Sequence, residues 1–119
     1  MNGNVAWMLE LTIQSGRGDD FRALMTEMVA ATRADEPGTL AYEWSISPDG
    51  TTCHIWERYA DSAAAMIHAG TFGAKYAGRF LEVVRPVRQV VYGSPSPELR
   101  AALAGFGPVY LEPAAGFSR

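Results

Sequence analysis

Two side chains in the middle of the chain have the type and setting for proton chemistry. His68 ends the alanine-rich stretch Ala63-Ala64-Ala65-Met66-Ile67-His68. On a continuous helix, Ala64, His68 and Phe72 share one stripe, with Tyr76 further along. The imidazole then points toward the body of the protein and not into water. Imidazole titrates near neutral pH, so His68 is a candidate general base. The plainer alternative is a core histidine satisfied by a backbone carbonyl or by Glu57. Glu57 lies in Cys53-His54-Ile55-Trp56-Glu57-Arg58-Tyr59, on the same side of an extended segment as Cys53, Ile55 and Tyr59. A carboxylate there is costly to bury unpaired. It must meet a cation, a histidine or backbone donors, or lie at a solvated strand end. An ion pair with an arginine is the plain reading; in the functional one, Glu57 orients His68 or binds a substrate hydroxyl.

Around this pair stand Tyr42, Trp44, Trp56, Tyr59, Phe72 and Tyr76. Aromatic residues at such spacings build cores more often than cavities, yet ligand sites are mostly apolar with a few polar groups. Tyr42, Trp44, Tyr59, Phe72 and Tyr76 are therefore the candidate substrate-binding set. Other chemistry finds little support. His54 and His68 sit on different elements, and no HxH, HxxxH or CxxC spacing occurs, so no metal site is expected. Cys53 has no partner that marks it as a nucleophile. The glycines form no nucleotide-binding loop.

The elements that must position these groups can be read from periodicity. Val5, Trp7, Leu9, Leu11 and Ile13 alternate as one apolar strand face. Ser15-Gly16-Arg17-Gly18 ends that strand. Phe21, Leu24, Met25, Met28 and Val29 recur at helical spacing, which predicts an amphipathic helix over residues 19–34, capped by Asp19 or Asp20. Pro37-Gly38 stops it. Leu40, Tyr42, Trp44 and Ile46 alternate as a second strand, Ser47-Pro48-Asp49-Gly50 turns, and residues 53–59 return as a third. Asp61 or Ser62 caps the next helix, which Gly70-Thr71 interrupts or kinks. Pro86 to Tyr92 forms a fourth strand. Ser96 and Pro97 open a further helix ending near Gly105, and Val109 to Leu111 can add a short strand. The order β-α-β-β-α-β is the ferredoxin-like pattern: α+β, with a four-stranded antiparallel sheet covered by helices on one face. The alternation leaves open which strand face meets the helices. The other sheet face needs a partner, and a second copy could cover it.

The chain has 119 residues, 48% apolar and 19% charged, an ordinary globular composition. Residues 1–93 are expected to form the ferredoxin-like domain. Residues 94–119 form an extension that packs over the pocket mouth or across a dimer, because Phe106, Tyr110, Leu111 and Phe117 need burial. The net charge of −3, with basic residues scattered along the chain, gives no reason to expect nucleic acid. One cysteine excludes an intrachain disulfide and fits a cytoplasmic setting. No apolar run is long enough for a membrane span, and no leader pattern is present.

Glu36-Pro37-Gly38-Thr39-Leu40-Ala41-Tyr42, Glu57-Arg58-Tyr59-Ala60-Asp61 and Ala65 through His68 together resemble the core of the antibiotic biosynthesis monooxygenase family, from about Val5 to Tyr92. The resemblance implies a dimeric α/β barrel in which two ferredoxin-like sheets pack face to face, each protomer holding a small pocket between sheet and helices. Some members oxidise quinols or polycyclic phenols with O₂ and neither metal nor flavin. A base removes a phenolic proton and the anion passes an electron to O₂. In this chain His68 would be that base, with Glu57 or Tyr42 as its orienter or as a donor to the substrate oxygen. Haem-degrading relatives use an asparagine on strand one and a helical histidine as iron ligand. Here strand one carries Met8 and Glu10, and no histidine lies between Lys75 and Phe80, so haem degradation is disfavoured. Anthrone-type oxygenases pair an asparagine with a tryptophan on strand three, and Ile55 to Tyr59 holds no asparagine.

The leading expectation is a homodimeric, cofactor-independent monooxygenase of a small aromatic, phenolic or quinol substrate. The alternatives are a non-catalytic ligand-binding or stress-associated dimeric domain, and an isomerase or cyclase on the same fold that consumes no O₂.

Overall fold

The alternation of the first segment makes the central strand. In the computed structural model, which describes residues 3–119, Val5, Trp7, Leu9, Leu11 and Ile13 of β1 (Val5–Ile13) are all buried. Residues 1–2, with which the first expected segment begins, lie outside the described range. The chain continues through α1 (Gly18–Asp35), β2 (Thr39–Ile46), β3 (Thr52–Tyr59), α2 (Ser62–Thr71), a π-helical turn (Phe72–Tyr76), α3 (Ala77–Val83), β4 (Val84–Tyr92), α4 (Pro97–Leu103) and β5 (Val109–Leu111). The sheet order is β2-β3-β1-β4-β5. The first four strands are antiparallel neighbours, and β5 pairs parallel with β4. The fold is α+β and ferredoxin-like, with a mixed five-stranded sheet instead of a four-stranded antiparallel one, because β5 adds to the outer edge of β4.

Strand register settles which face meets the helices. Tyr42 pairs with Glu57 and Trp44 with Ile55. These residues share the helix side with buried Cys53 and Tyr59, while His54 and Trp56 are exposed on the other. Two irregularities shift the pattern, one in β2 between Thr39 and Ala41 and one where β1 meets β4, at Glu10 and Leu11.

Several local expectations need correction. The cap of α1 is Arg17, with no side-chain capping bond. Asp19 and Asp20 lie instead in the first turn, where negative charge suits the helix dipole, and Asp20 takes a 2.9 Å ion pair from Arg17. Asp61 does cap α2, accepting from the Ala64 N–H at 2.8 Å. Gly70 and Thr71 do not break the helix. The irregularity comes next, where the Ala77 N–H reaches back to the Phe72 carbonyl across five residues. β4 starts at Val84, two residues before Pro86.

The tail divides in two. Ser96 caps α4 through the Leu99 N–H, and its own N–H donates to Ser62 Oγ at the start of α2. Leu99 and Leu103 are buried, each contributing about 2 kcal/mol of apolar burial. Phe106 packs against the core, and Tyr110 lies under the Arg100 guanidinium, 4.1 Å from the ring centre. Within the single chain Leu111 is exposed and Phe117 is 82% exposed. Residues 112–119 border a groove on the helix-free side of the sheet, beside Trp56, Arg58 and Tyr92.

Candidate functional site

The turn between α1 and β2 fixes the first carboxylate. The Glu36 N–H closes the last turn of α1 onto the Thr32 carbonyl, and the Thr39 N–H bonds the Glu36 carbonyl at 3.0 Å. Pro37 and Gly38 occupy the centre of this turn, and the Gly38 carbonyl accepts from the Ala60 N–H at 2.9 Å. Glycine is needed at 38 for contact and not for dihedral reasons. A Cβ there would stand 2.6 Å from Ala64 Cβ on α2. This close approach carries the Glu36 side chain to the α2 face that bears His68.

His68 is held between two carboxylates. Its Nδ1 lies 2.8 Å from Glu36 Oε1, which also accepts from Thr39 Oγ1 at 3.1 Å. Its Nε2 lies 3.3 Å from Glu57 Oε1. The Tyr59 hydroxyl donates to the same Glu57 oxygen at 2.5 Å. Tyr42 sets its ring edge-on to the imidazole, with centroids 5.0 Å apart, and Tyr59 lies on another side of it. Glu36, Glu57 and His68 are all buried.

Burial alone would lower the pKa of His68. The Glu36 hydrogen bond and the charges of Glu57 and Glu36 outweigh it and hold the pKa above the usual histidine range. Burial tends to raise Glu36, but the His68 hydrogen bond and charge, with Thr39, bring it below the usual carboxylate range. At Glu57 burial dominates and raises the pKa, against the pull of the His68 charge and the Tyr59 and Trp7 side chains. Tyr59 and Tyr42 are pushed upward, first by burial and then by the neighbouring carboxylates, and remain protonated. The surroundings thus favour the charged forms of His68 and Glu36 and the neutral form of Glu57.

Glu57 and His68 open onto a cavity of ≈ 170 Å³ between the sheet and the helices. Of the sequence candidates, Tyr42 and Phe72 line it too. Trp44, Tyr59 and Tyr76 do not. Tyr59 lies behind Glu57 as its hydrogen-bond donor. Trp44 packs between Phe21 and Phe80, and Tyr76 is buried under the Arg79 guanidinium. Ala69, Gly73 and Ala77 follow the helical run around the π-helical turn and leave the space open, while Leu103 and Phe106 from the tail form another wall. Sequence reasoning assigned no role to Glu36 or to Gln89, which also lines the cavity. Among the described residues, no group of three or more His, Cys, Asp or Glu is placed to hold a metal ion.

A small ferredoxin-like α+β domain with an acid–base cluster facing a cavity between sheet and helices is the class of protein described so far. The chain belongs to the antibiotic biosynthesis monooxygenase family, whose model matches residues 5–79. Among solved structures, MupZ from Pseudomonas fluorescens is 27% identical, with a TM-score of 0.84; the match covers 99% of this chain and 96% of that one. Rv0793 from Mycobacterium tuberculosis is 29% identical over 74% of this chain and 91% of its own, with a TM-score of 0.65. SnoaB from Streptomyces nogalater, described as a cofactor-independent oxygenase, was solved as the N63A mutant. It shares the fold at 14% identity and a TM-score of 0.65, over 79% of this chain and 95% of its own. No curated protein matches the chain.

Proposed function

We propose that the chain is a cofactor-independent monooxygenase of a small phenol or quinol. One observation carries the reading: Glu57 and His68 stand 3.3 Å apart on the wall of an otherwise largely apolar cavity. A cavity of ≈ 170 Å³ is close to the roughly 150 Å³ that accommodates benzene, which favours a single substituted ring over a polycyclic one. Glu57, with its raised pKa, takes the phenolic proton. His68 keeps its own proton through Glu36 and sets positive charge beside the phenolate. The anion passes one electron to O₂, and recombination of the radicals forms a carbon–oxygen bond. The resulting hydroperoxide loses its outer oxygen with the ring proton as water, leaving a quinone carbonyl. The substrate supplies all four electrons, so no external reductant enters. In this reading the role of base moves from His68 to Glu57, because the two flanking carboxylates favour the protonated imidazole.

The reaction type rests on the family and on the description of SnoaB. The active unit is a homodimer: Trp56, Tyr92 and Val87 leave apolar surface on the helix-free side of the sheet, which a second copy covers.

Oxygen uptake with single-ring phenols and quinols tests the proposal. Glu57→Gln and His68→Ala are each expected to lower turnover by about 10²- to 10⁴-fold while the fold survives. Unchanged turnover in both variants removes the pair from the mechanism. A second reading, an isomerase or cyclase, is favoured by the proton donor and acceptor already side by side, since proton transfer alone needs no oxidant. Product formation that persists without O₂ selects it.

A further inference from the structure

Gln89 is a polar group of the cavity that this mechanism leaves unused. Gln89 of β4 is 2% exposed and lines the same cavity as Glu57 and His68. Its Oε1 is buried and has no hydrogen-bond partner among the described residues. A buried amide oxygen left unpaired is costly, and a leucine or methionine of similar size would fill the position without that cost. Packing therefore does not account for an amide here. The other buried polar atom without a partner, Trp44 Nε1, makes no bond of acceptable geometry. It sits close enough to the Tyr42 hydroxyl to oppose the rise in its pKa, and it lies off the cavity wall.

Strand register places the two ends of the cavity. Glu57, Trp7 and Val91 form one row across β3, β1 and β4, and Ile55, Leu9 and Gln89 form the next. Glu57 and Gln89 are thus two strands and two residues apart, about 12 Å between Cα positions. Both side chains rise from the same face of the sheet, so their polar heads enter the cavity from opposite corners. An aromatic ring with oxygens at para positions, making one hydrogen bond at each end, spans roughly 11 Å.

We propose that Gln89 is a specificity-determining residue whose Oε1 accepts a hydrogen bond from a second ligand hydroxyl. That hydroxyl lies across the ring from the oxygen that Glu57 and His68 take. The ligand class is then a single-ring 1,4-dihydroxy aromatic in preference to a monophenol. The inference rests on reading the cavity as a phenol site, but not on any turnover there.

The test is binding without O₂, followed by calorimetry, with benzene-1,4-diol and phenol as probes of the full chain. The diol is expected to bind the wild-type protein about tenfold more tightly than phenol. In Gln89→Leu and Gln89→Met that preference is lost, phenol affinity holds or improves, and the melting temperature does not fall. An unchanged diol-to-phenol ratio in the variants overturns the proposal. So does parallel loss of both probes with a lowered melting temperature, which makes the amide structural, and so does a wild-type protein that binds neither probe. A diol preference that depends on Gln89, combined with no O₂ uptake in air, upholds the subsite and rejects the oxygenase.

Discussion

Replacing Glu36 with glutamine separates the charge of the His68 partner from its geometry. The amide oxygen of the Glu36→Gln variant can still accept from His68 Nδ1 and from Thr39 Oγ1, which lie 2.8 and 3.1 Å from the carboxylate oxygen it replaces. Only the negative charge is lost. The side chains of His68 and Glu36 are 9% and 5% exposed, so solvent screens the pair little. A hydrogen bond to a charged partner contributes about 1.5–3 kcal/mol, and a neutral one about 0.5–1.5 kcal/mol. The imidazolium therefore loses about 1–1.5 kcal/mol of stabilisation relative to neutral imidazole. Burial, the largest influence on His68, then pulls downward against Glu57 alone, and the pKa falls.

Two measurements read this. An NMR titration follows the His68 ring directly, with His54→Gln removing the only other histidine signal. Urea unfolding across pH supplies the second. A histidine whose folded pKa lies above its unfolded value of 6.5 adds stability that is fully present below pH 6.5. That stability is lost as pH rises through the folded pKa. The raised carboxyl of Glu57 acts in the same sense from its unfolded value of 4.5 upward. The lowered carboxyl of Glu36 acts oppositely: its contribution is present above 4.5 and lost as pH falls through the folded pKa. The wild-type protein should therefore weaken on both flanks. Glu36→Gln should flatten the acid flank and move the alkaline loss to lower pH. If His68 in Glu36→Gln titrates where it does in the wild type, Glu36 does not hold its proton, and His68 cannot be assigned as the standing positive charge.

Gly38→Ala sets two rigid methyl groups 2.6 Å apart, so the turn or α2 must shift. It should cost about 1–3 kcal/mol, read by urea unfolding, and Ala64→Gly in the same chain should recover most of it; no loss in the single variant refutes the contact. Trp56→Glu puts a charge on the helix-free sheet face and should shift a dimer to monomers in sedimentation velocity with little change in helix content. A variant that sediments like the wild type shows that this face is not the dimer surface.

Much of the fold was legible because β1, β2 and β3 carry their patterns locally. Five alternating apolar residues in β1 and the Pro-Gly and Pro-Asp-Gly turns mark element ends without tertiary information. The site was legible only where the pattern was also local. His68 and Glu57 stood out as polar groups on apolar faces. Glu36 did not, since nothing near it signals that the turn after α1 folds against α2, 32 residues from its partner. Gln89 was hidden by the shift at Glu10 and Leu11. Val84, opposite Ile13, and Val91, opposite Trp7, both face the helices although one position is even and the other odd. Plain alternation from Val84 sends Gln89 outward. The π-helical turn was invisible because Phe72, Tyr76 and Phe80 already fit ordinary helical spacing, and nothing in the sequence marks a turn with an additional residue.

The position of the site along the chain separates two kinds of information. Glu36, Glu57 and His68 all fall within residues 5–79, the span matched by the family. Phe80, Gln89, Ala102, Leu103 and Phe106, which form much of the remaining cavity wall, fall outside it. On the proposed reading, the groups that move protons lie in the matched span, while β4 and the tail shape a further part of the cavity wall. A relative aligned only through the first span says nothing of the wall that Phe80, Gln89, Leu103 and Phe106 form. The match to MupZ, over 99% of this chain, includes both spans. Substrate comparisons are therefore best made with proteins that share α4 and Phe106, residue by residue along the wall that Gln89 begins.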